Sequence, residues 1–512
     1  MKSFYKSIFM FFITSTLVLG QKSKAISIEQ FGAIGDGKSL NTLAIQKAID
    51  KAASIKNGKV VFPKGNFLSG TIELKSGVEV HFEEEAVLLG TVDPYQYRKL
   101  SGNKALLIAD NISSFSITGK GTIDGQGREL ALALDSLHHT KEFIDPNYNY
   151  KRMRPHEFHR IEIINFTRCK DVKVSGVTLQ HGSSWIQTYE QCKNLEIDNI
   201  MVNSTDYWNN DGMDIVDCTN VRITNSFVNS ADDGICLKSH SPDHINDQVL
   251  IANCKIRSSA SAIKFGTASY GGFTNVIVKN IEVYDTFRSA IAIESVDGGV
   301  IENILISDIN AVNTGNPIFI RLGHRSGGKP GSIKNITLKN ITVQVPFSRP
   351  DIDYDLRGPE VNFFHNPFPS SIVGILGHEI ENVTLENITI TYPGRASKGM
   401  AYLPLSRLQQ VPEKKDSYPE FSMFGELPAW GMYVRHANGL TFKNIIFKLE
   451  DVDFRPAFVF DDVRNVSLEG IHLPKNKTKQ IYLNNTETIT IETDLKHSKQ
   501  MDKYYINYYD KD

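Results

Sequence analysis

CKNLEIDNIMV, residues 192–202, and CTNVRITNSFV, residues 218–228, are two copies of the pattern that decides the fold. Each copy has a leading polar residue, two alternating apolar positions, a polar or Gly corner, and two more alternating apolar positions. Further copies begin at Cys169, Asp247, Thr274, Glu302, Lys334, Glu381 and Arg464. The equivalent polar residues are 26, 28, 27 and 28 residues apart at Asn194, Asn220, Gln248, Asn275 and Asn303.

This repeat predicts a solenoid of short strands in which each copy forms one coil. Helical repeats would show an apolar period of 3.6 residues within each copy, and that period is absent. Equivalent residues of successive coils would lie about 4.8 Å apart, so the Asn column should form a ladder of stacked side chains. Cys169, Cys192 and Cys218 share one repeat position, which favours a column of buried thiols over disulfides. We expect an all-β fold, a single-stranded right-handed parallel β-helix.

The segments outside the repeats define the ends of the domain. NTLAIQKAIDKA, from Asn41, has apolar residues at helical spacing behind an Asn cap, which predicts a short helix over the open end of the first coil. Wider repeat spacings mark two insertions, typical of loops that carry binding surfaces. The predicted organisation is a signal peptide over 1–20, a parallel β-helix over 21–490 with its cap at about 26–70 and inserted loops at about 344–378 and 391–435, and a C-terminal tail over 491–512.

The composition and the first residues limit the classes to which this protein can belong. The 512 residues have a formal net charge of -2, so a basic surface for nucleic acid is not expected. Lys2 and Lys6 precede a 12-residue apolar run from Ile8 to Leu19, which is typical of a cleaved secretory signal. This run is shorter than the about 20 residues that a membrane-spanning helix needs, and no later segment is apolar enough. We expect a periplasmic or secreted monomer without a membrane span.

Four aspartates lie close together in two Gly-containing segments, WNNDGMDI and ADDGIC. Asp211 and Asp232 are 21 residues apart, close to one coil, so they should lie about 5 Å apart if stacked and about 7 Å apart if diagonal. Asp233 can join them if the chain bends at Gly234, while Asp214 either joins the cluster or caps a corner. Crowded carboxylates repel, so at least one should keep its proton.

A protonated acid beside ionised carboxylates is the arrangement that hydrolysis of a glycosidic bond requires. A carboxyl separation of about 6.5–9.5 Å would predict inversion at the anomeric carbon. The alternative interpretation is that aspartates at coil corners form Asx-turns. The NND and DD segments together, one coil apart and each beside Gly, favour the functional interpretation.

Several segments resemble known enzymes. FGAIGDG from Phe31, with the helix that follows it, resembles the N-terminal cap of pectinase-type, pectin lyase-like β-helices. SSWIQ from Ser183, NNDGMDI from Asn209 and ADDGICLKS from Ala231 resemble glycoside hydrolase family 28, which includes polygalacturonases and rhamnogalacturonases. The resemblance extends over about residues 26–473.

The resemblance implies roles for three aspartates. Asp232 would be the general acid, and Asp211 and Asp233 would position and activate the water, with inversion. It implies a substrate that is an acidic polysaccharide or oligosaccharide, as in pectin, and it implies no cofactor and no metal.

Two departures from the family pattern change the expected substrate. Polygalacturonases have Gly-His-Gly one coil after the Asp pair, whereas Ser261 of SASAIKFGTAS stands at the His position. Their Arg-Ile-Lys segment, which binds the substrate carboxylate, matches SAIAIES from Ser289, with Ala292 and Glu294 at the two basic positions; a shift of one residue is an alternative alignment. Because Glu294 would repel a galacturonate carboxylate, we expect another uronic or deoxy sugar, as in rhamnogalacturonan, rather than plain homogalacturonan.

Other groups could replace the missing basic residues. Lys264 lies in the coil after the Asp pair, and IFIRLGHR supplies two Arg and one His two coils later; Arg forks suit carboxylate or sulfate oxygens. An aromatic residue beside NND could stack on a pyranose ring, although core packing explains it equally well. The candidate substrate-binding residues are Asn209, Lys264, Arg321, His324, Arg325, Trp208 and Glu294.

Two other functions remain open. A polysaccharide lyase on the same fold would use a basic residue to remove a proton beside a carboxylate, with the aspartates as ligands for Ca²⁺. A non-catalytic carbohydrate-binding solenoid would bind without turnover, and Asp232→Asn would change nothing. The DD and NxD pattern fits the hydrolase better than either.

Overall fold

The computed structural model describes residues 25–351, 365, 368–396, 403–474, 480–492 and the backbone of 503–506. The predicted signal peptide lies outside the described residues, as do parts of both predicted insertions and most of the predicted C-terminal tail.

The described residues form 31 strands and two α-helices. The strands are β1 Ala25–Ser27, β2 Asp36–Leu40, β3 Gly58–Phe62, β4 Gly65–Ser69, β5 Ile72–Glu73, β6 Val78–Phe82, β7 Ala86–Gly90, β8 Ala105–Asp110, β9 Ser113–Gly119, β10 Thr122–Asp124, β11 Glu162–Thr167, β12 Lys170–Ser175, β13 Thr178–Gln180, β14 Gln187–Glu190, β15 Lys193–Asp198, β16 Met201–Ser204, β17 Met213–Val216, β18 Thr219–Thr224, β19 Phe227–Ser230, β20 Ile235–Ser239, β21 Asn246–Ser258, β22 Ile263–Ser269, β23 Gly272–Ser295, β24 Val300–Leu322, β25 Ser332–Gln344, β26 Ser370–Val373, β27 Ile380–Tyr392, β28 Met432–Leu449, β29 Phe458–His472, β30 Ile481–Glu492 and β31 Lys503–Ile506. The helices are α1 Thr42–Ala53 and α2 Gly127–Thr140, with 3₁₀ turns at Ile28–Phe31, Pro94–Gln96, Glu157–His159 and Leu405–Gln410.

Successive coils pair in parallel along the length of the molecule. Leu195 aligns with Val221, which aligns in turn with Val249, Val276 and Ile304 on the following coils. All five side chains are buried, because the alternation of apolar and polar residues directs the same face of each strand inward. The prediction of a right-handed parallel β-helix is confirmed.

The predicted Asn ladder forms along one corner of the coils. The Nδ2 of Asn220 donates to Oδ1 of Asn194 at 2.8 Å, and Asn335 donates in the same way to Asn303 at 3.3 Å. Each of these residues has a φ between 57° and 59°, a left-handed conformation that Asn tolerates better than other side chains. The ladder residue therefore both turns the chain and binds the next coil.

The predicted thiol column is also present. Cys169, Cys192 and Cys218 are buried and free, and the backbone N–H of Cys192 donates to the Sγ of Cys218 at 3.3 Å. Burial raises the pKa of the Cys254 thiol to about 11. These cysteines therefore act as core residues.

The capping helix α1 buries Ile45 and Ile49 against the first coils, as predicted. Asn41 precedes it, but its side chain makes no cap hydrogen bond to the helix; the expectation of an Asn cap was wrong in this detail. Its Oδ1 accepts from the N–H of Ile34 at 2.7 Å and its Nδ2 donates to Ser39 O at 2.6 Å. Asn41 thus holds the preceding loop.

Several elements were not predicted from the sequence. Helix α2 follows β10 and begins at Gly127, where a Cβ would lie 2.0 Å from the carbonyl carbon of Gly182, so a larger residue would not fit. Strand β26 lies within the first predicted insertion and pairs with β24 and β28. Strand β31, within the predicted tail, pairs antiparallel with β30 and covers the open edge of the last coil. None of the helices in the described part of the chain has the length and apolarity that a membrane crossing requires.

The strands β11, β14, β17, β20 and β22 form one parallel sheet, here named the site sheet. Their register aligns Asn165, Thr188, Asp214, Cys236 and Lys264 in one column. All five side chains are buried, and they mark the region where chemistry is expected.

Candidate active site

The four aspartates come together at the start of two neighbouring strands of the site sheet. Asp211 lies in the turn before β17, Asp214 lies on β17, and Asp232 with Asp233 form the turn before β20. The turns are held together because the N–H of Gly212 donates to Asp233 O at 2.8 Å. The open question about Asp214 is thereby answered, since it joins the cluster.

The first half of the cluster, named the Lys238 cluster, has one ammonium group and two carboxylates. Lys238 Nζ donates to Asp211 Oδ2 at 2.8 Å and to Asp214 Oδ1, and the Trp185 ring lies over it at 4.3 Å. Burial raises the pKa of Asp214 to about 6, although Lys238 opposes the shift. Burial also raises the pKa of Asp211, and the charge of Asp214 adds to the increase.

The second half, named the Lys264 cluster, has one ammonium group and one directly bonded carboxylate. Lys264 is 2% exposed, and its Nζ donates to Asp233 Oδ2 at 2.9 Å and to the Tyr418 hydroxyl at 3.3 Å. The N–H of Ser261 donates to the other oxygen of Asp233 at 3.1 Å. Burial acts to raise the pKa of Asp233, but Lys264 and other nearby cations outweigh it, and the pKa is lowered.

The two clusters meet at their carboxylates. One oxygen of Asp211, one oxygen of Asp233 and the Sγ of Cys236 lie within 4.8 Å of one another. Such a group has the size of a metal site, but the ammonium groups of Lys238 and Lys264 already compensate its negative charge. The residues therefore fit proton transfer and water binding better than a divalent cation.

Asp232 is the member of the cluster that lines an open cavity. It is half-buried. Burial raises the pKa of its carboxyl most, and the charge of the adjacent Asp233 raises it further. Its Oδ1 accepts a hydrogen bond from the N–H of Asp233 at 3.0 Å, which orients the carboxyl group. Asp232 and Asp233 thus differ in the direction of their pKa shifts although they are adjacent in sequence.

The cavity beside Asp232, named the cationic cavity, has a volume of ≈ 480 Å³. Four basic residues line it, against two acidic ones, Asp232 and Glu420. The aromatic side chains of Trp208 and Tyr418 contribute to its wall. The basic residues are Arg152, Arg154, Arg288 and Lys414.

The second predicted insertion builds one wall of this cavity. Residues 414–423 supply Lys414, Ser417, Tyr418, Glu420 and Met423 to the lining. The segment is held to the solenoid by Arg321, whose Nη2 donates to Glu413 O at 2.6 Å. The cavity therefore depends on contacts between residues that are far apart in sequence.

Four of the seven predicted substrate-binding residues lie in or beside this region. Asn209 and Trp208 line the cavity, and Asn209 Oδ1 accepts from the Nη2 of Arg160 at 2.6 Å. Lys264 belongs to the cluster described above. Glu294 is buried near Lys264, and burial raises the pKa of its carboxyl to about 7.

The other three predicted substrate-binding residues do not line the cationic cavity. Arg321 is fully buried and donates to backbone carbonyls, including Gly374 O at 3.0 Å. Arg325 pairs with Asp297 at 2.7 Å, and the His324 ring bonds the carbonyl of Gly327 at 3.2 Å. The structure thus places these three side chains in contacts that hold loops.

Sequence reasoning missed several residues of the site. Lys238 lies within the quoted ADDGICLKS segment and was not singled out. Arg288 directly precedes the SAIAIES segment, its N–H donates to Ala260 O at 2.9 Å, and its side chain lines the same cavity as Asp232. A search for basic residues on the coil of the Asp pair and on the next two coils would have found both, whereas Arg154 and Lys414 carry no such signal.

Comparisons with known proteins find a family whose model matches this chain and several proteins that are similar to it. A model of the family described as glycosyl hydrolases family 28 matches residues 52–350. A probable polygalacturonase of Vitis vinifera is 26% identical over 342 residues, which is 63% of this chain and 61% of that protein. An exopolygalacturonase of Zea mays is 25% identical over 401 residues, 74% of this chain and 86% of that protein. The crystal structure of an exopolygalacturonase from Thermotoga maritima superposes with a TM-score of 0.61 at 19% identity, covering 83% of this chain and 92% of that one.

Proposed function

The chain belongs to glycosyl hydrolases family 28, and from this premise we propose that it hydrolyses glycosidic bonds of a pectin-like acidic polysaccharide or oligosaccharide. The observation that carries the proposal is the contrast between two adjacent carboxyl groups. The pKa of Asp232, at the cavity, is raised, and that of Asp233, bonded to Lys264, is lowered. A proton donor next to an ionised carboxylate is the requirement for this reaction.

The proposed mechanism assigns one role to each aspartate. Asp232 donates its proton to the oxygen that leaves with the departing sugar. Asp233, kept ionised by Lys264, accepts the proton of the attacking water, and Asp211 helps to position that water. Because the water attacks from the side opposite the leaving oxygen, the proposal includes inversion at the anomeric carbon.

The cationic cavity supports a uronate as one of the two sugars at the scissile bond. Arg side chains bind carboxylates through paired N–H groups, and Arg288 lies close enough to Asp232 for its charge to oppose the increase in the pKa of that carboxyl. The relatives named polygalacturonases support the same class of sugar. We retain Asn209, Trp208, Lys264 and Glu294 as proposed substrate-binding residues and add Arg288.

Glu294 supports a substrate other than plain homogalacturonan. Its carboxyl stands near Lys264, and Thr267 Oγ1 lies 3.4 Å from Glu294 Oε2. With a pKa of about 7, this group is largely protonated in mildly acidic solution and ionised in alkaline solution. Its carboxylate therefore repels a uronate increasingly as the pH rises. A basic residue at this position would attract the uronate instead.

The lyase alternative is disfavoured by the state of the lysines. A lyase needs a neutral base, but the carboxylates of Asp211 and Asp233 raise the pKa values of Lys238 and Lys264, although burial opposes the shift. Both side chains therefore remain ammonium groups. A non-catalytic binding role gives no reason for a buried cluster of three carboxylates and two lysines.

Export and oligomeric state stay proposals. The basic and apolar pattern of residues 1–20 supports a periplasmic or secreted enzyme, and the long solenoid with its capped ends supports a monomer.

The experiment that tests the proposed function is digestion of a panel of pectic and algal polysaccharides by the wild type and by Asp232→Asn. We expect new reducing ends without an unsaturated, ultraviolet-absorbing product, no effect of a chelator, and a loss of about 10³-fold in kcat for Asp232→Asn. The matched control Asp243→Asn changes an exposed aspartate outside the site and should keep full activity. Unsaturated products, or equal turnover by Asp232→Asn, would contradict the proposal.

A further inference from the structure

One wall of the cationic cavity is a short segment of the second predicted insertion. Residues 411–423, here named the insertion wall, bring Lys414 and Tyr418 into the lining. The Tyr418 hydroxyl accepts a hydrogen bond from the Nζ of Lys264 at 3.3 Å. The insertion wall therefore contacts both the cavity and the lysine that bonds Asp233, and a change in its position alters both.

Two arginines of the solenoid hold the main chain of the insertion wall. The Nη1 of Arg435, on β28, donates to Val411 O at 2.8 Å. The Nη2 of Arg321, on β24, donates to Glu413 O at 2.6 Å. Since a guanidinium in a protein stays charged, these two contacts do not depend on pH.

The side chain of Glu413 makes a contact of a different kind. Glu413 Oε1 lies 3.1 Å from the Nε2 of His436, and the Nδ1 of the same ring lies 2.6 Å from Asp462 Oδ2. His436 and Asp462 occupy matching left-handed corners of successive coils, with φ of 51° and 57°. The Nδ2 of Asn485, on the following coil, donates to the other oxygen of Asp462 at 2.6 Å, which fixes the far end. We name the contacts among Glu413, His436 and Asp462 the histidine bridge.

The histidine bridge requires a charged imidazole. An ionised carboxylate can only accept hydrogen bonds, so both contacts of the ring are hydrogen bonds only when both of its nitrogens carry protons. A neutral His436 has a single N–H and turns a lone pair toward one of the two carboxylates. One end of the bridge is therefore lost when His436 is deprotonated.

The charges around His436 favour the protonated ring. The residue is 4% exposed, and burial acts to lower its pKa, but the hydrogen bonds of Glu413 and Asp462 outweigh burial and the pKa is raised. Arg435 opposes this increase, and it pairs with Glu413 at 3.1 Å and with Asp461 at 3.3 Å. Among the described residues, the charged groups around the ring and its partners are Glu413 of the insertion wall, Arg321 of β24, Arg435 of β28, and Asp461 and Asp462 of β29.

We propose that His436 positions the insertion wall, and with it Lys414 of the cationic cavity, by bridging Glu413 to Asp462. The bridge is complete below about pH 6.5, the ordinary pKa of histidine, and is lost as the pH rises through the higher pKa of His436 in the folded protein. Glu413 stays ionised in mildly acidic solution, since its hydrogen bond with His436 lowers its pKa. The enzyme therefore binds acidic sugars less tightly in alkaline solution. This effect on substrate rests on the proposed function and adds to it a control of the same cavity by pH.

The first test measures the insertion wall itself, by hydrogen–deuterium exchange of peptides from residues 405–423, corrected for the intrinsic dependence of exchange on pH. In the wild type we expect exchange at about pH 8.5 to be at least about threefold faster than at about pH 5.5. His436→Gln, which cannot be charged, should exchange at the faster rate at both pH values, and so should Glu413→Gln. The control His378→Gln changes an exposed histidine outside the cationic cavity and should behave as the wild type.

The second test is the KM for the pectic polysaccharide that the enzyme cleaves fastest. At about pH 5.5 we expect the KM of His436→Gln to exceed that of the wild type about fivefold, and at about pH 8.5 we expect the two values to be equal. The ratio of the two KM values is compared because the charge of Glu294 acts on both proteins equally. A merely structural role for His436 would give the same ratio at both pH values.

The outcomes separate this inference from the proposed function. Exchange of residues 405–423 that does not change with pH in the wild type, or that changes equally in His436→Gln, would overturn the inference and leave the hydrolase function standing. A KM ratio that stays constant with pH would also overturn it. If no pectic polysaccharide is cleaved, the proposed function fails, while the exchange experiment still decides whether His436 holds the insertion wall. If His436→Gln does not fold, Glu413→Gln decides, since that side chain is partly exposed; wild-type exchange in this variant at about pH 5.5 would contradict the bridge.

Discussion

The Lys238 cluster and the Lys264 cluster use the same kind of contact one coil apart, yet they hold protons differently. Lys238 shares its charge between Asp211 and Asp214, and the pKa values of both carboxyls are raised. Lys264 bonds one carboxylate, that of Asp233, and the pKa of that carboxyl is lowered. Asp233 is therefore the carboxyl that favours the ionised state, because Lys264, Lys238 and Arg288 together outweigh its burial.

This difference gives each cluster a separate task. In the proposed mechanism, the Lys264 cluster supplies the ionised base beside Asp232, and the Lys238 cluster keeps an extra proton and holds Asp211 in position. Burial alone would raise the pKa of every carboxyl in the site, and the nearby cations, Lys264 above all, reverse that shift at Asp233.

The largest expected effect comes from removing the ionised carboxylate of the Lys264 cluster. Asp233→Asn removes the proposed base, and we expect kcat to fall by about 10³-fold with little change in KM. Initial rates of reducing-end release at saturating substrate measure it. A loss of less than tenfold would mean that Asp233 is not the base.

The next largest effect is expected when the ammonium group of the Lys264 cluster is removed. Lys264→Met keeps the length of the side chain but leaves Asp233 without its ion pair, so its pKa should rise. Since the base acts only when ionised, the acid limb of the kcat profile should move to higher pH, with kcat at pH 5 reduced by about 10²-fold. A profile that keeps its wild-type shape would show that Lys264 does not set the charge of Asp233.

A smaller effect is expected from a change in the cationic cavity, which lies beside the Lys264 cluster. Arg288→Ala removes a guanidinium that lowers the pKa of both Asp232 and Asp233 and that we assign to uronate binding. We expect KM for an acidic oligosaccharide to rise about tenfold. Arg325→Ala is the matched control, since Arg325 pairs with Asp297 outside the cavity; equal KM values for the two variants would argue against the assignment.

The smallest effect on activity belongs to the Lys238 cluster. Asp214→Asn removes the second carboxylate, and we expect kcat to change by less than about threefold because Asp214 takes no proton in the proposed mechanism.

The same variant has a larger effect on stability. The folded pKa of Asp214 is about 6 against 3.8 for the free group, so the folded state holds the proton more tightly. Below the unfolded pKa, Asp214 is protonated in both states and does not make the free energy of unfolding depend on pH. As the pH rises through about 4 to 6, Asp214 lowers the free energy of unfolding, by at most about 3 kcal/mol. Between pH 4 and pH 7, the free energy of unfolding of Asp214→Asn should therefore increase relative to the wild type, as measured by urea denaturation. A constant difference between the two proteins would contradict the raised pKa.

Most of the fold could be predicted from the sequence, because each coil repeats the same local requirement. The polar corner residue and the two pairs of inward apolar residues recur every 26 to 28 residues between Asn194 and Asn303, so the pattern of one copy predicts the structure of its neighbours. The proximity of the aspartates followed from the same period. Helix α2 was missed because it lies outside the repeat, although Leu130 and Leu134 are buried on one face of it.

The rest of the site depends on contacts that no short segment contains. Tyr418 reaches Lys264 over 154 residues of sequence, and Lys414 enters the cavity from the same insertion. The sequence also gave no means of separating buried Arg321, which holds this insertion, from a guanidinium that faces substrate. A local sequence pattern shows which functional residue types a segment contains. Whether those side chains are exposed depends on packing between distant segments.

The most direct test is a ¹³C NMR titration of the aspartate carboxyl groups, assigned by difference spectra from Asp211→Asn, Asp232→Asn and Asp233→Asn. We predict that Asp233 titrates below the ordinary aspartate value, and that Asp232 and Asp211 titrate above it. Titration of Asp233 above Asp232 would contradict the division of the site into an ionised base and a proton donor.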